Sequence, residues 1–223
     1  MKLVIKFPTR NRPQKFTETF LKYQYMLSQK HDVKFLVSMD CDDETMNTDT
    51  RRKFFEKFAN NTSYYYGHST TKIEAVNADI EHLPTDFDIL LLASDDMIPV
   101  EPSYDDIICT DMMKFFPNMD GVLHYNDGRL GEKLNTLSIM GRRYFDRFRY
   151  IYYPGYKSVF CDNEFMDVSR LLKKAQYIDR VIIRHGWVQY VGFDALARRN
   201  ENPVFYDIDG ALYRSRLAMN FGL

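Results

Sequence analysis

The sequence predicts an α/β protein built on a mixed, mostly parallel sheet flanked by helices, and three observations predict it. Apolar runs of strand length alternate with stretches of helical periodicity through the first half of the chain. The runs are unbroken rather than alternating, as in strands buried on both faces. Their carboxyl ends carry the polar and acidic residues, which is where open α/β sheets bind ligands.

Each element can be justified in order. KLVIKF (2–7) reads as a first strand and ends in PTRNRP. QKFTETFLKYQYML (14–27) sets Phe16, Phe20, Tyr23 and Leu27 at helical spacing. VKFLVSMD (33–40) is a second strand ending in CDDETM, and DTRRKFFEKFAN (49–60) a short helix. TSYYYGH (62–68) is a third strand, KIEAVNADIEHL (72–83) a helix and DILLLAS (88–94) a fourth strand. This βαβαβαβ order builds a parallel sheet with crossover helices. Later, DGVLHYNDG (120–128) and LNTLSIMG (134–141) predict strands of an added layer. RRYFDRF (142–148) and NEFMDVSRLLKKA (163–175) predict helices, and RVIIRHGW (180–187) a strand that ends at His185.

Composition narrows the class. At 223 residues, 45% hydrophobic and 27% charged, the chain has enough apolar side chains for one substantial core, which argues against disorder. A net charge of −1 creates no global field for nucleic acid, so any anion site is local. Cys41, Cys109 and Cys161 are too scattered for a disulfide framework or a zinc signature. No run of about 18 apolar residues is present to span a membrane. The opening apolar run is too short for a signal segment, so a cytoplasmic protein without a transmembrane segment is expected.

Candidate chemistry gathers at the strand ends. In DILLLASDDMIPVEP (88–102) the apolar run Ile89–Ala93 stops at Ser94 and meets the adjacent carboxylates Asp95 and Asp96. Adjacent like charges stay ionised only beside something positive. Strand one ends in Pro8, Thr9, Arg10, Asn11 and Arg12, strand two in Asp40, Cys41, Asp42 and Asp43, and a late strand in Arg184 and His185. Carboxylates with a single His suit Mn²⁺ or Mg²⁺; zinc normally draws more His or Cys. Each motif alone has a plainer reading. Asp-Asp is often a turn, SMDCDDET an N-cap, PTRNRP a solvated loop and His185 a half-buried histidine. Their joint occurrence carries the expectation.

In chain order, IKFPTRNRP, LVSMDCDDET, TTKIEAVNADI, LLLASDDMIP and FCDNEFMDVSRLLKK resemble the successive motifs of GT-A-fold nucleotide-sugar glycosyltransferases of the family-2-like group, over roughly residues 2–187. The resemblance implies a single GT-A (Rossmann-like) domain over 1–223. Residues 1–115 would be its nucleotide-sugar-binding half, and 116–223 its acceptor-binding half and C-terminal tail. Pro8, Thr9, Arg10, Arg12, Asp40, Asp42, Lys72, Asn77, Ser94 and Asp95 are then expected on the donor. Asp95, Asp96 and His185 are expected on Mn²⁺ or Mg²⁺, and Asp162, beside Glu164, as the acceptor base. Trp187 and Tyr125 are candidate acceptor contacts. The family's Leu-Asp-x-Asp-Asp is changed here: Ala93 stands at the first acidic position.

The expected activity is transfer of a sugar from a nucleotide diphosphate sugar, UDP-linked by preference, to the hydroxyl of a saccharide acceptor. One carboxylate base opposite the leaving group implies inversion. Two alternatives stand beside it. GRRYFDRFRYIYYPGYK (141–157) interleaves Arg with aromatic rings, which suits a DNA glycosyltransferase acting on a flipped hydroxymethylated base. A non-catalytic nucleotide-sugar binding module would need no base. A nucleotidyltransferase is expected to open with a Gly-rich loop, and PTRNRP has no Gly.

Overall fold

The computed structural model describes residues 1–186 and 194–223. β1 (Lys2–Pro8), β2 (Asp32–Asp40), β3 (Thr62–Gly67) and β4 (Ile89–Leu92) run parallel, with β1 between β2 and β4. Successive residues of β1 face opposite sides, and both sides are covered. Leu3, Ile5 and Phe7 pack with Phe16, Phe20 and Tyr23 of α1 (Pro13–Tyr25). Val4 joins Leu36, Leu90 and Leu92 against Tyr144 and Phe165 on the other side. This double coverage is why the strand reads as an unbroken apolar run. Burying each large side chain contributes about 1.5–3 kcal/mol.

The later strands complete the same sheet. β6 (Val122–Tyr125), β7 (Ile139–Gly141) and β8 (Ala175–Ile178) give the order β3-β2-β1-β4-β7-β6-β8. β7 pairs antiparallel to β4, and β8 lies parallel to β6. The expected added layer is therefore corrected. Ile139, Met140 and Gly141 are buried, and they cover an apolar β4 edge that would otherwise be unpaired.

Two short strands form a separate ribbon that matters more for the site. β5 (Met97–Pro99), directly after Asp96, pairs antiparallel with β9 (Ile183–His185), with Met97 opposite His185. The helix expected over 72–83 stops early. α3 spans Lys72–Asn77; Ala78 leaves the helical region and Asp79 takes a left-handed φ of 60°. Among the described residues the remaining α-helices are α2 (Asp49–Glu56), α4 (Tyr104–Phe115), α5 (Arg142–Phe148), α6 (Cys161–Leu171), α7 (Ala195–Asn200) and α8 (Pro203–Ala218). Among the described residues no helix is long and apolar enough to cross a membrane.

The basic-aromatic stretch 141–157 turns four of its seven rings inward. Tyr144, Phe145, Tyr152 and Tyr156 are buried, Arg147 is bidentate on Asp120, and Arg142 bonds Asp146. Phe148, Tyr150 and Tyr153 are half-buried, and Arg143 and Arg149 are exposed, so most of the stretch's rings serve the core.

Candidate active site

A cavity of about 420 Å³ opens at the carboxyl ends of β1, β2 and β4, within the size range of small-ligand sites. Pro8, Thr9, Arg10, Arg12, Asp40, Lys72, Ser94, Asp95, Asp96, Asp162 and His185 all line it.

The loop after β1 is held by carboxylates. Arg10 donates to Asp40 (2.8 Å) and to both oxygens of Asp42 (2.6 and 2.9 Å). Asp40 also accepts from the Ser69 backbone N–H at 2.7 Å. Arg12 is bidentate on Asp194 (2.8 and 2.9 Å), which in turn caps α7 by accepting from the Ala197 N–H. Both guanidinium forks expected on the donor are thus occupied by carboxylates, a geometry such forks match. Asp42 is exposed and lies outside the cavity lining.

The adjacent carboxylates are split by their surroundings. Burial pushes Asp95 up to about 8, although Arg12 and the Thr9 hydroxyl at 3.0 Å pull the other way. For Asp96 burial acts in the same direction, but His185, the Ser94 hydroxyl and Arg12 outweigh it and hold the carboxyl well below the usual range. Two neighbouring acids can coexist because only one is strongly favoured as an anion. His185 Nε2 lies 3.7 Å from Asp96 Oδ2, too long for a hydrogen bond. An anionic oxygen and an imidazole nitrogen facing each other across that gap are a donor set that fits Mn²⁺ or Mg²⁺.

A tighter trio lies elsewhere: Asp79, Glu81 and His82 bring ligand atoms within 4.8 Å of one another. Its chemistry argues against a cation. Asp79 accepts from Ser38, Ser38 accepts from the buried Lys6 ammonium, and His82 stacks on Tyr65 with ring centroids 4.1 Å apart. None of the three lines the cavity.

Lys72 begins α3. Thr71 caps that helix by accepting from the Glu74 N–H, and Glu74 reaches back to the Thr70 N–H at 2.7 Å. Lys72 is solvent-exposed yet walled by protein atoms, and it makes no ion pair among the described residues. Burial works to neutralise it, but Cys161, Asp162, Asp96 and Glu201 raise its pKa. Asp162 opens α6 across the cavity lining, and its Oδ1 accepts from the Asn163 N–H.

No family model matches the sequence, and a comparison with curated proteins gives no match. Solved structures are similar in shape. A fragment of S. aureus TarS matches with a TM-score of 0.61 at 16% identity over 86% of this chain, which spans 62% of that fragment. A mannosyltransferase from Pyrobaculum calidifontis, solved with GDP-Man and Mn²⁺, matches with a TM-score of 0.64 at 12% identity, over 97% of this chain and 75% of that one. A 4-diphosphocytidyl-2C-methyl-D-erythritol synthase from Anaerococcus prevotii matches at 0.51 and 12% identity, over 82% and 86%. The fold is GT-A.

Within this GT-A fold several expected site residues lie outside the cavity lining. Glu164 is buried and accepts from Arg216 (2.7 and 2.8 Å) and from the Tyr156 hydroxyl (2.8 Å), so both its oxygens are engaged in structure away from the cavity lining. Asn77 bridges the Ile151 N–H and the Tyr152 carbonyl. Tyr125 is core, its hydroxyl donating to Asp111 at 2.7 Å. These three give way as catalytic, donor and acceptor contacts respectively. Trp187 lies outside the described residues.

Other residues shape the GT-A site without having been singled out. Asp209, fully buried in α8, accepts from the backbone N–H groups of Lys157, Ser158 and Val159 (2.9, 2.7 and 2.9 Å) and so sets the strand of chain entering α6. Its sequence signal was an acid beside Gly210 within a helical stretch. Asp127 and Asp194 had only the generic signal of an Asp near a turn or a helix start.

Proposed function

We propose that this chain transfers a sugar from a nucleotide diphosphate sugar to an acceptor hydroxyl. The observation that carries the reading is the Asp96–His185 pair, facing each other at 3.7 Å in the cavity that Lys72 and Asp162 also line. Asp96 and His185 would hold Mn²⁺ or Mg²⁺, which when bound supplies positive charge opposite a departing diphosphate. Lys72 pairs with a phosphate oxygen as a point charge. Asp40 accepts from the base or ribose. Asp162 takes the proton from the acceptor hydroxyl as its oxygen attacks the anomeric carbon, the donor's C–O bond breaks and the nucleoside diphosphate leaves. A single base on one side supports inversion.

UDP is the proposed nucleotide; TarS has been solved with UDP and UDP-GlcNAc, and the mannosyltransferase with GDP-Man. A saccharide is the proposed acceptor, because the stretch that suggested DNA spends four of its seven rings on the core. Likeness to the synthase supports a second reading, nucleotidyl transfer, on the same scaffold. Products separate the two. Incubation with a panel of UDP-, GDP- and dTDP-sugars and Mn²⁺ should release nucleoside diphosphate, and Asp96→Asn should abolish that release. Pyrophosphate release from a nucleoside triphosphate and a sugar phosphate would replace this reading with the second.

A further inference from the structure

His185 sits between two carboxylates, and only one of them belongs to the cavity lining. Its Nε2 faces Asp96 at 3.7 Å. Its Nδ1 is sealed from solvent with no hydrogen-bond partner among the described residues, and lies 3.9 Å from Asp127 Oδ2. That distance exceeds an ordinary N–H···O contact by only ~0.7 Å. A neutral imidazole has one N–H and one lone pair, so the carboxylate that takes the N–H decides where the lone pair points.

Asp127 is built to take it. Its side chain is buried, yet four donors secure it. Oδ1 accepts from the backbone N–H groups of Arg129 (2.8 Å), Leu130 (2.7 Å) and Gly131 (3.2 Å), and Oδ2 from the Thr136 hydroxyl (2.9 Å). An oxygen with one hydrogen bond retains acceptor capacity, and Oδ2 is the one nearest the ring. The backbone makes a second tie: the His185 N–H donates to the Asp127 carbonyl at 2.9 Å. Arg129 and Leu130, whose N–H groups donate to Asp127, line the cavity together with His185.

We infer that Asp127 is a positioning residue for His185. Its Oδ2 faces the sealed Nδ1 and, on closing a gap of ~0.7 Å, takes the Nδ1–H, which leaves the Nε2 lone pair on the cavity side, beside Asp96. The tautomer assignment stands on geometry alone; its consequence for a divalent cation rests on the reading proposed above. Carboxylate partners of metal-binding histidines typically change metal affinity by about 10–100-fold.

Imidazole-¹⁵N NMR of the metal-free protein near neutral pH tests the inference directly, with His185→Gln identifying the resonance. The expected result is a protonated Nδ1 and a bare Nε2, with the balance shifting toward Nε2–H in Asp127→Asn. Protonation at Nε2 in the wild-type protein, or an unchanged pattern in Asp127→Asn, would overturn it. If that variant does not fold, the wild-type spectrum still decides. In parallel, Mn²⁺ titration followed by electron paramagnetic resonance should show roughly 10–100-fold weaker binding in Asp127→Asn, with metal-free UDP binding unchanged. Equal Mn²⁺ affinity in the two proteins would refute the positioning role. Absence of Mn²⁺ binding in the wild-type protein would instead remove the metal reading while the tautomer is still read by NMR.

Discussion

The Asp209 carboxylate accepts the backbone N–H of Ser158 at 2.7 Å, tying the C-terminal helix to the chain that leads into Asp162. The same oxygen takes the Val159 N–H, and the other takes that of Lys157. Removing the carboxylate strands three donors. Asp209→Ala is expected to lower stability by at least about 2 kcal/mol, measured by urea unfolding, and to depress turnover more than nucleotide affinity. Asp209→Asn keeps two acceptor lone pairs and should lose less.

Asp162 is the residue at the mouth of α6 assigned to proton removal. Asp162→Asn should reduce turnover by about two to four orders of magnitude while calorimetric nucleotide binding persists. Loss of nucleotide binding instead would move Asp162 from the acceptor to the donor.

Glu164, two residues on, has the opposite expectation. Its bidentate pair with Arg216 is largely buried, with side-chain exposures of 5% and 13%. Arg216→Met leaves the carboxylate unpaired and should destabilise by about 3–5 kcal/mol. Glu164→Gln should lower the urea midpoint and leave the pH profile of turnover in place. A shift of that profile would restore a chemical role to Glu164.

Lys6 supplies a pH test of the core. Burial lowers its pKa from 10.5 to about 8, with Asp79 and Glu81 pulling upward. Between those values the unfolded chain binds a proton that the folded chain has released. Stability therefore rises with pH across that window, and the contribution is lost as pH falls through about 8. Lys6→Met should remove this slope when urea midpoints are compared from about pH 7.5 to 10. An identical slope in the variant would count against the shift.

The first half of the fold was legible because its physics is local. Apolar runs buried on both faces mark β1 to β4, and polar residues at their ends mark the cavity. The second half was less so. Ile139 and Met140 read as strand residues, but nothing in LNTLSIMG says that they cover the β4 edge. α8 escaped notice because its pattern is blurred, with Val204 and Ile208 exposed while Asp209 is buried.

By itself the sequence determined the α/β architecture, the Asp95–Asp96 pair at a strand end and the candidate status of Asp162 and His185. These follow from periodicity and from where charge interrupts it. The tertiary structure alone decided which groups are available for chemistry. Asp96 meets His185 because β5 pairs with β9; Glu164 is consumed by an arginine 52 residues away; Arg10 and Arg12 are claimed by carboxylates. A charged group's role depends on the partner nearest to it in space, and such partners come from distant parts of the chain.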